Sequence, residues 1–282
     1  MSDTAKFRAA CVQLRTGRSV PDNIEAAVAL VREAAAEGAD YVLTPEQTAL
    51  MELEREALFA GITEEAEDPT LARMRPLAGE LGIHIHIGSV AVKVGPDKAA
   101  NRSFLIAPDG QIAARYDKIH MFDVDLPGGE NYRESRTYRA GDKAVVADLP
   151  WGRLGFSICY DLRFAYLYRR LAQAGAHFLT TPAAFTRQTG EAHWHVLQRA
   201  RAIETGCFVF AAAQGGHHEN GRDTFGHSMI VDPWGRIIAE AGTDPCVIVA
   251  DIDTGLVAEA RGRVPALTHD REITLSVAED GA

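Results

Sequence analysis

Three side chains in this sequence stand where a side chain can react. Cys159 lies in Gly155-Phe156-Ser157-Ile158-Cys159-Tyr160-Asp161-Leu162-Arg163-Phe164, where a buried-strand pattern runs directly into a helical one. A thiol is a modest nucleophile until it ionises, and a helix N-terminus or a nearby ammonium lowers its pKa from about 8.5 toward neutrality. The backbone N–H of Tyr160, turning into that helix, can face an oxyanion. Cys159 reads equally well as a small buried hydrophobe, the commonest fate of a cytosolic cysteine. Glu46 follows Thr44-Pro45 at the end of an apolar strand, where a carboxylate is costly unless it is paired or put to use. A structural ion pair is the alternative there. Lys118, in Arg115-Tyr116-Asp117-Lys118-Ile119-His120, follows a strand directly and can supply a fixed positive charge or simply face water, and Glu134 sits in a long loop beyond it.

A nucleophile, a carboxylate that can take and return a proton, and a cation to hold a developing oxyanion are together what hydrolysis of an amide requires. Spacing alone does not bring them together. Two other readings stand beside this one: a thiol hydrolase pairing Cys159 with one of the ten histidines, and a binding protein of the same fold that turns nothing over. Arg163, four residues beyond Cys159, offers a planar fork suited to a substrate carboxylate, or an ion pair with Asp161.

The elements that must position these residues recur in two rounds. A strand over Phe7–Leu14, a helix from about Asn23 capped by Asp22 or Asn23, a strand at Tyr41–Thr44, a helix over Leu71–Leu81, a strand at Ile83–Val90 and a hairpin about Pro108-Asp109-Gly110 make the first. Strand Leu154–Ile158, a helix from Phe164, strand Phe178–Thr181, helix Ala192–Thr205, strand Phe208–Ala213 and a second hairpin make the other. Residues 103–112 and 228–237 align without a gap, sharing Ser, Pro, Gly and Ile, and Thr44-Pro45 answers Thr181-Pro182. Two such halves predict an α/β protein of two mixed sheets, bare faces together and helices outside: a four-layer α-β-β-α sandwich in one domain spanning residues 1–282, with a tail from about 264. The stretch from Asp117 to Lys143 reads as irregular and long enough to be functional.

Bulk properties narrow the classes. With 46% hydrophobic and 24% charged residues, the 282-residue chain can bury a large core unaided. A net charge of −10 argues against nucleic acid, and Arg133, Arg136 and Arg139 read as a solvated loop face. Residues 1–7 carry no signal-peptide pattern and no run of about 18 apolar residues exists, so neither secretion nor a membrane is expected. Four scattered cysteines read as reduced thiols of a cytoplasmic protein. His84 and His86 share a strand face but no zinc pattern surrounds them, and Pro127-Gly128-Gly129 lacks the Gly-Lys-Ser/Thr of a phosphate loop; no metal and no cofactor is implied.

Thr44-Pro45-Glu46, the run from Tyr116 through Val124, and Ile158-Cys159-Tyr160-Asp161-Leu162-Arg163-Phe164 closely resemble, in order and spacing, the nitrilase superfamily of carbon–nitrogen hydrolases. The resemblance spans about Phe7 to Pro265. It implies the same sandwich, a catalytic Glu46–Lys118–Cys159 triad with Glu134 as a second active-site acid, a small-molecule amide substrate and a homodimer or higher homo-oligomer. Asp123-Val124-Asp125-Leu126-Pro127-Gly128, Arg133-Glu134-Ser135, Ala184-Phe185-Thr186 and Phe225-Gly226-His227-Ser228 are similar to the amidase branch that holds deaminated glutathione amidase and omega-amidase, with the former the nearer. This implies that Arg163, Phe185 and Thr186 touch a carboxylate-bearing substrate, with 2-oxo-acid omega-amides and N-carbamoyl compounds as alternatives. One departure is visible: Ala165-Tyr166 stands where the branch has Pro-Glu, which bears on how the helix starts and on subunit contacts.

Overall fold

The structure, a computed structural model, describes residues 5–126, 129 and 131–277. Pro127 and Gly128 of the loop motif, and the end of the expected tail, lie outside the described residues. Strands β1 (Lys6–Gln13), β2 (Tyr41–Leu43), β3 (His84–Lys93), β4 (Ala99–Ile106) and β5 (Ile112–Asp117) form one sheet in that order, with β16 (Cys246–Asp253) on the outer side of β1. A small hairpin, β6 (Asp123–Asp125) with β7 (Asn131–Arg133), follows. Then β8 (Val146–Leu149), β9 (Gly152–Gly155), β10 (Ala176–Thr180), β11 (Phe208–Ala211), β14 (Met229–Val231) and β15 (Ile237–Glu240) form the second sheet, also in chain order. Another hairpin, β12 (Gly215–His217) with β13 (Asp223–Phe225), interrupts it.

The two sheets share one pattern. β1, β2 and β3 run parallel and then turn antiparallel through β4 and β5, with β16 antiparallel on β1. β9, β10 and β11 likewise run parallel before β14 and β15, with β8 antiparallel on β9. The aligned hairpin segments, residues 103–112 and 228–237, fall on β4–β5 and β14–β15.

Helices α1 (Val20–Ala36) and α3 (Pro69–Leu81) cover the first sheet, and α4 (Ala165–Gln173) and α5 (Arg187–Thr205) the second. Strand alternation sorts the core: Ala10 and Val12 of β1 pack with Ile24, Val28 and Val31 of α1, while Phe7, Ala9 and Cys11 face the other sheet. Phe7 meets Phe178 edge-on with ring centroids 5.2 Å apart. The layers are therefore helix, sheet, sheet, helix, as expected. Short α2 (Arg55–Gly61) and α6 (Gly255–Arg263) lie outside the repeated pattern. Among the described residues no helix is long and apolar enough to cross a membrane.

Two helix starts differ from the sequence expectation. α1 begins at Val20 with Pro21 in its first turn, because Asn23 is spent elsewhere, bonding Gly17 and the carbonyl of Ala49. α5 begins at Arg187, capped by Thr186, five residues before Ala192. α4 starts at Ala165, with Phe164 in the N-cap position, as expected, but a separate 3-10 turn, Cys159–Arg163, lies between it and the strand before it. Residues 117–143 are not wholly irregular, since they hold the β6–β7 hairpin and a 3-10 turn at Glu134–Arg136.

Candidate active site

Glu46 emerges just beyond β2, where Thr48 turns the chain back by bonding the Pro45 carbonyl at 2.7 Å. Its side chain is buried and fully engaged. Oε1 accepts from Lys118 Nζ at 3.0 Å and Asn101 Nδ2 at 2.9 Å, and Oε2 accepts from the Ala184 N–H at 2.9 Å. Lys118 leaves β5 with its own N–H on the Asn101 carbonyl and its carbonyl under the Gly141 N–H. Its ammonium also reaches both oxygens of Glu134, at 3.0 and 2.9 Å. Glu134 opens its 3-10 turn and takes the Phe122 N–H at 2.6 Å, which fixes it against the hairpin.

Cys159 comes from the other half. Its N–H donates to the Pro182 carbonyl at 2.9 Å, and Asp161 takes the Ile158 N–H at 2.8 Å. These bonds hold Cys159 at φ 49°, in the left-handed region that non-glycine residues avoid. Gln47, which also lines the site, has φ 55°. Strain of this kind persists only where the surroundings dictate it. Asp161 is itself locked by the Tyr116 hydroxyl at 2.6 Å and His120 Nδ1 at 2.6 Å. In the position of the departure from the branch pattern, the Tyr166 hydroxyl meets His120 Nε2 at 2.6 Å.

The Cys159 thiol and the Glu46 carboxylate line the same cavity, and each acts on the other's proton. Burial pushes the Cys159 thiol well up, the Glu46 charge adds to this, and Lys118 only partly opposes it. Burial pushes Glu46 up too, but the Lys118 ammonium and the thiol outweigh it and hold the carboxyl below its usual range. Burial would lower Lys118, yet Glu134 and Glu46 hold its ammonium well above the ordinary lysine value. The resting site is thus a neutral thiol beside an ionised carboxylate. This corrects the expectation of a thiol lowered toward neutrality by a helix end and an ammonium: the α-helix starts too late, and two carboxylates surround the ammonium.

A cavity of about 250 Å³ opens over Cys159, Glu46, Lys118 and Glu134. Among the described residues the Tyr160 N–H has no acceptor, so it is available to one in the cavity. Phe185 forms a wall and packs edge-on against Trp194 at 5.0 Å. Thr186 also lines the cavity while capping α5. Arg163 donates to His193 Nδ1 at 3.2 Å and lies over the Tyr160 and Phe185 rings. It does not pair with Asp161, whose oxygens are taken. Nor does an imidazole stand in for the base, since no histidine lies among the cavity residues. His86, which shared a strand face with His84, is held by Tyr41 and Ser103 and is pushed down to about 3 by burial.

Sequence reasoning missed Asn101 and Arg222. Asn101 bridges the two acids, donating to Glu46 at 2.9 Å and Glu134 at 3.3 Å. Arg222 reaches the cavity from the β12–β13 hairpin, donates to the Ala184 carbonyl and lies 5.3 Å over the Tyr132 ring. Arg133, read as solvated, also lines the cavity and pairs with Asp125 at 2.7 Å.

Comparison with known proteins places the chain in a family. The family model described as "Carbon-nitrogen hydrolase" matches residues 8–262. A deaminated glutathione amidase of Yersinia enterocolitica is 40% identical over 269 residues, covering 94% of this chain and 93% of that protein. The omega-amidase NIT2 of Mus musculus is 36% identical over 265 residues, covering 94% and 95%. The crystal structure of the C. elegans NitFhit protein superposes with a TM-score of 0.87 at 34% identity, over 95% of this chain and 66% of that one. This chain belongs to the carbon–nitrogen hydrolase family, within the nitrilase superfamily, as an enzyme that hydrolyses C–N amide bonds.

Proposed function

We propose that the enzyme cleaves small carboxylate-bearing amides through a thioester on Cys159, with deaminated glutathione as the substrate it serves best. The observation that carries the mechanism is the position of Glu46, which shares one cavity with the Cys159 thiol and lies 3.0 Å from Lys118 Nζ. Glu46 takes the thiol proton as sulfur attacks the amide carbon. The oxyanion that forms is held by Lys118 and the Tyr160 N–H. Glu46 then gives its proton to the leaving nitrogen, the C–N bond breaks, and ammonia or an amine departs. Water enters, Glu46 removes its proton, hydroxide attacks the thioester, and the C–S bond breaks as the sulfur regains a proton. Glu134 and Asn101 keep Lys118 and Glu46 in register throughout.

Support for the substrate comes from the named relatives at 40% identity and from Arg163, a guanidinium at the cavity wall that no described carboxylate pairs with. Removing it should cost roughly ten- to hundredfold in kcat/KM on a carboxylate-bearing amide. The test is release of ammonia or amine from a panel holding deaminated glutathione, 2-oxo-acid omega-amides and N-carbamoyl compounds, with Cys159→Ala in parallel. Turnover of deaminated glutathione above the others, absent in the variant, is expected; no turnover of any amide sinks the reading and leaves a binding protein. A single domain with a tail from about residue 264, a cytoplasmic location and a homodimer or higher homo-oligomer complete the proposal. A monomer mass by light scattering at micromolar concentration would contradict the last.

A further inference from the structure

Arg222 is the one cavity cation whose role the mechanism leaves open. Lys118 is matched by Glu46 and Glu134, and Arg133 by Asp125. Arg222 has no carboxylate partner among the described residues; its Nη2 donates to the Ala184 carbonyl, and its Nε is buried with no hydrogen-bond partner. A guanidinium held half-buried with an unmatched charge and an unused donor is costly to a folded protein unless something else completes it. Its place is also particular. Ala184 donates its N–H to Glu46 Oε2 and receives Arg222 on its carbonyl, so one residue ties Arg222 to the proton carrier. The charge of Arg222 is felt there, since it helps to keep Glu46 ionised. Arg163, by contrast, stands on the nucleophile's own turn against Tyr160 and Phe185.

We infer that Arg222 is a second carboxylate subsite, which reads an anionic group on the leaving-amine side of the scissile bond, while Arg163 reads the carboxylate on the acyl side. The assignment rests on the amidase reading above and narrows it. Glu46 must face the leaving nitrogen to protonate it, so a substrate group beyond that nitrogen extends toward the wall that Arg222 shares with Glu46. The bond Arg222 makes to the Ala184 carbonyl leaves Nη1 for an end-on contact, and the Tyr132 ring beneath fixes the plane of the fork. The ligand is then an amide with a carboxylate on each side of the bond to be cut. An omega-amide that releases only ammonia fills just one of the two subsites.

The experiment compares deaminated glutathione with its C-terminal carboxamide, which has the same size and one charge fewer, in wild type, Arg222→Met, Arg222→Lys and Arg163→Met. Wild type should favour the carboxylate form by roughly tenfold or more in kcat/KM. Arg222→Met should erase that preference and Arg222→Lys should keep part of it, because a point charge replaces the fork. Arg163→Met should lower both substrates and leave their ratio standing. If wild type does not distinguish the two, or if Arg222→Met lowers both by the same factor, Arg222 is a structural residue and the subsite does not exist. Turnover of neither substrate by wild type would instead remove deaminated glutathione as the substrate, and this inference with it.

Discussion

Strands β2 and β10 hold the same place in their two sheets, and each runs into Thr-Pro: Thr44-Pro45 leads to Glu46, Thr181-Pro182 to Ala183. The matching prolines do different work. The Pro45 carbonyl accepts from Thr48 at 2.7 Å and Ser89 at 3.3 Å, closing a loop of its own half around the carboxylate. The Pro182 carbonyl instead accepts the Cys159 N–H at 2.9 Å and so holds the strained nucleophile turn. The two ends meet at Gly88, where an added Cβ would lie 2.0 Å from the Thr44 carbonyl and 2.5 Å from Pro182 Cβ. The first half therefore supplies the acids, the ammonium and Asn101, and the second supplies the thiol, the Tyr160 N–H and the two arginines that have no carboxylate partner among the described residues. A repeated scaffold brings two equivalent strand ends together, and chemistry follows because those ends have stopped being equivalent.

The sharpest way to break that asymmetry is Glu46→Gln, which keeps the shape of the loop and removes the proton carrier. A loss of about 10²–10⁴ in kcat is expected from steady-state rates. Single-turnover mixing should show acylation and hydrolysis of the thioester both slowed. Slowing of one step alone would mean a second base serves the other. Lys118→Met should follow with roughly 10²–10³ in kcat, by analogy with loss of an oxyanion donor. A near-normal kcat with a raised KM would make Lys118 a binding residue.

The junction itself can be tested by Gly88→Ala. The new methyl would overlap backbone on one side and Pro182 on the other, so about 1–3 kcal/mol of stability should be lost, and the thermal midpoint should fall by several degrees. An unchanged midpoint would show that the two strand ends are not in contact. The smallest effect lies in the pH profile. Because Glu46 is held below the usual carboxylate range, its contribution to stability and activity is present above its unfolded value and is lost only as pH falls through the lower folded one. With the thiol and the ammonium both raised, no loss should appear up to about pH 9. An acid limb near neutrality would mean that another group carries the proton.

Much of this was legible before any coordinates. Glu46 and Cys159 stand at the ends of apolar strands, Lys118 directly follows another strand, and the matching hairpins declared the two halves. What stayed hidden depends on partners far away in the chain. The sequence shows a strand pattern running straight into a helical one, but a 3-10 turn at Cys159–Arg163 stands between them, with Asp161 committed to Tyr116 and His120. α5 carries Gly190 in its first turns, where a Cβ would lie 2.2 Å from Phe225 Cβ, so that glycine answers to a hairpin distant in the chain. Asn101 stands beside Arg102 and Ser103 in β4 as one polar residue among several, and Arg222 in His218-Glu219-Asn220-Gly221-Arg222-Asp223 has the composition of a solvated loop. Neither carries a local signal of its place.

The account stands most directly on the atom that becomes acylated. A slowly hydrolysed amide mixed with the wild-type enzyme, quenched in acid and digested, should give a peptide containing Cys159 heavier by the acyl half of the substrate, and no such mass in Cys159→Ala. The same adduct on Cys11, Cys207 or Cys246, or steady turnover by Cys159→Ala, would contradict the assignment.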